Sequence, residues 1–95
     1  MIELIKQNET FTLKETTDSY EIRGSITHEA SGALNVYFNV NTLDGTYIGE
    51  CRYSTYTDSN TMNFDVNCLR ENREAVIAYT SSVIEEIVEH FKQVI

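Results

Sequence analysis

A change of hydrophobic period near residue 69 constrains this chain more than any other feature. Before it, apolar side chains recur at every second position; after it, they recur with the 3.6-residue period of a helix. A chain divided in this way supplies one layer of strands and one helix to lie against it.

The strand half is legible in detail. Leu34, Val36, Phe38 and Val40 alternate with Asn35, Tyr37, Asn39 and Asn41, which reads as a half-buried strand. Asp44-Gly45 follows, a dipeptide that suits a two-residue hairpin turn with positive φ at both centres. With that turn, Val40 faces Gly49, Phe38 faces Cys51 and Val36 faces Tyr53. On the other face Tyr37 meets Arg52 and Asn39 meets Glu50. A slip of one residue would bring Phe38 against Glu50 or Arg52 and mix the two faces.

Met62, Phe64, Val66 and Cys68 form the next alternating set. A turn at Asp58-Ser59 sets Tyr53 against Phe64 and Cys51 against Val66. Upstream, Tyr20, Ile22 and Ile26 share a face, and a short loop through Glu29 to Gly32 brings Ile26 opposite Leu34 and Ile22 opposite Phe38. Phe11 and Leu13 start an earlier strand, turned by Thr16-Thr17-Asp18. The expected strands cover about residues 9–15, 19–27, 33–42, 46–55 and 61–67, an antiparallel meander in sequence order.

At 100° per residue, Val76, Ile77, Tyr79, Val83, Ile84, Ile87, Val88, Phe91, Val94 and Ile95 fall on one side of a helix spanning about residues 70–94. Glu85, Glu86, Glu89, Lys92 and Gln93 fall on the other. Asn67 or Asn72 is placed to cap it. A sheet with one apolar face and a helix with one apolar stripe cover each other. The expected fold is therefore a two-layer α+β domain over residues 1–95, a five-stranded antiparallel meander with a long C-terminal amphipathic helix on one face (βββββα).

The helix looks too large for its sheet. At ~1.5 Å per residue it spans roughly 37 Å, against roughly 27 Å for an eight-residue strand. Its apolar arc is about 180° wide where packing needs about 100°. Met1, Ile2, Leu4 and Ile5 folding over the helix end, or a second subunit, would cover the excess. Tyr79, Val88, Phe91 and Ile95 are the candidate dimer or partner surface, and a homodimer is expected on this ground.

Charge narrows the function. The chain carries 15 acidic and 7 basic side chains, a formal net charge of −8. No basic stripe is present, which works against phosphate backbones and anionic membranes alike. No apolar run approaches the ~20 residues of a membrane-spanning helix. Met1 to Lys6 lacks the basic and apolar regions of a secretory signal, so the expected location is cytoplasmic. Two cysteines, Cys51 and Cys68, are too few for a secreted disulfide framework and read as buried free thiols, although their diagonal placement makes a bond conceivable.

No catalytic constellation stands out. Phosphate-binding glycine loops, a nucleophile elbow, HExxH and CxxC are all missing. His28 reads as a loop histidine beside Glu29. His90 shares a helix face with Glu86, but that pair lacks further metal ligands. Neither a metal nor a cofactor is expected, and the chain reads as a non-enzyme.

The polar sheet face is the least ordinary feature. It should display Lys14, Glu21, Arg23, Asn35, Tyr37, Asn39, Arg52, Asn63 and Asp65, with Ile48 and Tyr56. Arg23, Tyr37, Arg52 and Tyr56 are the candidate interaction residues, because exposed Tyr and Arg are enriched at binding surfaces. The expected function is a small protein-interaction or regulatory module. The sheet-then-helix order is also similar to that of single-strand nucleic-acid-binding modules of the Whirly and PUR kind, which implies base stacking on the sheet as an alternative. A small-ligand-binding domain ranks last, since so short a chain leaves little room for a cavity.

Overall fold

The computed structural model describes residues 2–7, 10–29, 33–55 and 62–94. It is an α+β structure in which one antiparallel sheet carries one C-terminal helix. The strands are β1 (Glu3–Gln7), β2 (Thr10–Thr16), β3 (Tyr20–His28), β4 (Leu34–Thr42), β5 (Tyr47–Thr55) and β6 (Met62–Cys68). A 3-10 turn over Arg70–Asn72 leads into α1 (Arg73–Val94). Each strand pairs with its sequence neighbour, in the order β1 to β6.

The sheet has six strands rather than five. Glu3–Gln7 pairs antiparallel with β2, setting Leu4 against Leu13 and Ile5 against Thr12. Ile2 and Leu4 pack on the core, whereas Ile5 is 47% exposed on the opposite face. Apolar residues on both faces hide the strand from a test for alternation. The main-chain N–H of Ile2 reaches Glu86 Oε1 on the helix at 3.5 Å.

A later helix start and longer strands remove much of the expected size mismatch. The 22 residues of α1 span about 33 Å, and nine-residue strands such as β4 span about 30 Å. At Leu69 the turn into the helix has no side-chain cap. Tyr79 stacks on Tyr20 with centroids 5.0 Å apart, and Phe91 meets Phe11 edge-on at 5.1 Å. The helix therefore runs across the sheet from the Tyr20 end of β3 toward its His28 end.

Two registers agree with the sequence reading and one does not. Phe38 pairs with Cys51, Val36 with Tyr53 and Tyr37 with Arg52; Tyr53 pairs with Phe64 and Cys51 with Val66. Between β3 and β4, however, Ile26 pairs with Val36, Ile22 with Val40 and Gly24 with Phe38. The offset is two residues, so every side chain keeps its face and alternation cannot separate the two registers. Gly24 separates them sterically. A Cβ there would lie 1.9 Å from the Tyr37 carbonyl oxygen and 2.5 Å from Phe38 Cα.

The β4–β5 hairpin also differs from expectation. Gly45 N–H donates to the Thr42 carbonyl at 3.0 Å, and Thr42 N–H to that of Thr46 at 2.9 Å. Gly45 has φ +92°. This is a three-residue loop closed by a glycine in the left-handed region. Asp44 Oδ1 accepts from the Thr46 hydroxyl at 2.9 Å and from the Thr42 hydroxyl. Those bonds, with Thr42 the largest contributor, hold its carboxyl below the ordinary value. A bulge between Val40 and Asn41 restores the pairing beyond the loop. It turns Ile48 inward, where it is 3% exposed, rather than onto the polar face.

Leu13, Ile22, Ile26, Phe38 and Val40 form the sheet side of the core, and Val76, Val83, Ile87 and Phe91 the helix side. Each fully buried side chain of this kind contributes about 1.5–3 kcal/mol. Thr80 lies within the apolar stripe without loss, because its hydroxyl donates to the Val76 carbonyl at 2.8 Å.

Candidate interaction surface

Three rungs of side chains cross the face opposite the helix. One runs Ile5, Thr12, Ser25, Tyr37, Arg52, Asp65; the next runs Glu3, Lys14, Arg23, Asn39, Glu50, Asn67. The third passes through Thr10, Thr27, Asn35, Ser54 and Asn63. Strand alternation puts all of them on one side of the sheet, and antiparallel pairing sets the neighbours.

Tyr37 is the centre of this face. The Arg52 guanidinium carbon lies 5.1 Å from its ring centroid, within cation–π range. Its hydroxyl donates to Glu50 Oε2 at 2.7 Å and lies 3.0 Å from Asn39 Oδ1. The Glu50 hydrogen bond is the main reason the phenol holds its proton more tightly than usual. Beside the ring is a concavity of about 520 Å³, floored by the small side chains of Ser25, Thr27 and Ser54 and walled by Tyr37, Arg52 and Asp65.

Tyr37 and Arg52 thus stand together. Arg23 stands on the adjacent rung, its Nε 2.8 Å from Glu21 Oε1 along the same strand. Tyr56 lies outside the described residues, as does Ile95. Glu50 is absent from the sequence-derived candidates even though it orients Tyr37. The two are diagonal neighbours, and only the side-chain conformations bring them together.

The helix candidates divide. Phe91 is 3% exposed, packed against Phe11 and 4.8 Å from the His28 ring; it belongs to the core. Tyr79 is half-buried, and its hydroxyl donates to Glu15 Oε1 at 2.5 Å. Burial first, and then this bond, raise its pKa. Val88 is half-buried and lines a second concavity, of about 560 Å³, between α1 and β6. Sequence reasoning missed that groove, because it depends on where the helix sits across the sheet.

Cys51 and Cys68 are both free thiols, and burial pushes the Cys51 thiol up to about 12. His28 is the last residue of β3 rather than a loop histidine, and it is half-buried. Among the described residues, no three His, Cys, Asp or Glu side chains cluster as metal ligands. No described helix is long and apolar enough to cross a membrane. No protein family, curated protein or solved structure matches this chain.

Proposed function

We propose that this chain is a non-enzymatic protein-binding module whose partner docks on the open sheet face, centred on Tyr37 and Arg52. The observation that carries this reading is the preset Tyr37 ring, fixed by Arg52 on its face and by Glu50 at its hydroxyl. Tyr and Arg dominate binding energy at protein interfaces when they sit beside a pocket. Side chains already held in place also lose less entropy on binding.

Glu50 and Asp65 border the ring and the guanidinium. A phosphate backbone laid across Tyr37 would meet both carboxylates, so a protein partner fits this face better than a nucleic acid. Phe91 lies in the core and Tyr79 is bonded to Glu15, so two of the helix residues expected to receive a second copy are engaged within the chain. The partner proposed is accordingly a different protein.

The test is affinity capture from the source cell with wild type, Tyr37→Ala and Arg52→Ala, all exposed positions whose change spares the core. A stoichiometric partner held by wild type and lost by both variants is expected. Equal retention by all three overturns the reading. So does low-salt binding of a labelled single-stranded oligonucleotide that Arg52→Ala abolishes.

A further inference from the structure

The groove between α1 and β6 lies on the helix side of the sheet, away from the Tyr37 face. We propose that it receives an extended segment of a partner protein, added as a strand along β6, whose helix-facing side chains, every second residue, combine bulky apolar groups with Lys or Arg. This proposal does not depend on the reading of the Tyr37 face.

Three observations support it. The groove is apolar at its base, where Phe64, Ile84 and Val88 meet, and Met62 at its mouth is 59% exposed. Next, β6 is the last strand of the sheet, and no described strand pairs with its outer side. An edge of this kind presents main-chain donors and acceptors for strand addition, and pockets beside it select alternate side chains.

The third observation is charge, and it selects the occupant. Glu85 and Glu89 line the groove, one helical turn apart on the same face. From residue 74 to residue 89 the helix carries four glutamates and no Lys or Arg. A segment lying there meets carboxylates on the helix side, which favours cationic side chains. A second copy is disfavoured by the same feature. Pairing β6 with β6 about its midpoint sets Asp65 against Asp65 and crowds both glutamate pairs.

The experiment uses the full chain and synthetic eight-residue peptides, read by amide chemical-shift mapping. In one peptide Val, Phe and Lys share the alternate positions that face the helix, with Thr between them; a second carries Glu in place of each Lys. A third has the first peptide's composition in block order, and a fourth is the first methylated on alternate backbone nitrogens. Saturable shifts confined to residues 62–68 and 81–89 are expected with the first peptide alone. Affinity should fall at least tenfold in Glu85→Lys/Glu89→Lys, both exposed positions, and that variant should accept the Glu peptide. The idea is overturned by absence of shifts, by shifts centred on Tyr37, or by equal binding of the block-order or methylated peptide. It is also overturned if the free protein is a dimer that buries β6.

Discussion

The Tyr79 hydroxyl and the Glu15 carboxylate meet at 2.5 Å between the helix and the sheet. Glu15 is only 8% exposed, on a rung otherwise formed by Ile22, Val40, Gly49 and Cys68. A carboxylate so placed needs donors, because burying it without them is costly. The helix supplies one.

Replacing Tyr79 with Phe removes that donor and leaves the ring in place. The expected loss is about 1–3 kcal/mol, the range for a hydrogen bond to a charged, buried group. Urea denaturation at neutral pH measures it. The pair also has an alkaline signature. Unfolded tyrosine loses its proton near 10.0 and unfolded cysteine near 9.0, whereas the folded chain keeps both protons to higher pH. The unfolded state therefore binds fewer protons in that window, and stability falls as pH rises through it. The urea midpoint should decline from about pH 9 upward, and Tyr79→Phe should lessen the slope above pH 10, where Tyr37, Tyr47 and Tyr53 also contribute. A midpoint independent of pH up to 11 contradicts the assignment.

Gly24 lies opposite Phe38, so Gly24→Ala forces the two strands apart. Overpacking of this kind costs about 1–3 kcal/mol, and backbone atoms at 1.9 and 2.5 Å place it at the upper end. At Gly49 the nearest atoms are at 2.8 and 2.9 Å, the closer being the Cys68 side chain. Gly49→Ala should therefore cost less. Thermal melting of the two variants gives the order, and the reverse order would count against the β3–β4 register.

The two thiols should separate in rate. Cys51 is fully buried, with a thiol that stays protonated well above neutral pH; Cys68 is half-buried at the edge of the sheet. Because the thiolate is the reactive form, a small disulfide reagent at pH 8 should label one thiol quickly and the other only as the protein opens. Cys68→Ser should abolish the fast phase. Loss of the slow phase instead would exchange the assignments.

The layers, the strand order from β2 to β6 and the pairing around Phe38 and Tyr53 were legible because alternation has one solution when one face must be dry. Register in steps of two was not, since Ile22 keeps its face whether it meets Phe38 or Val40; the space above Gly24 decides it. Asp44-Gly45 correctly marked a hairpin, but the bulge before Asn41 changed the loop and took Ile48 inside. The strand Glu3–Gln7 escaped notice because Leu4 and Ile5 point to opposite faces. At the candidate site, pairing alone brought Tyr37 to Arg52. The contact with Glu50 and the groove along β6 depend on side-chain conformation and on helix placement, neither of which leaves a periodic trace.

The meander also governs how the molecule assembles. Every strand bonds to the one made just before it, so each pairing closes only a short loop and costs little chain entropy. Such local topology favours rapid folding. Yet the helix that covers Leu13, Ile26 and Phe38 follows all six strands in the chain. During synthesis the oily side of the sheet is complete before its cover exists, and for those seconds a ribosome-bound chain offers other nascent proteins the surface that the finished molecule hides.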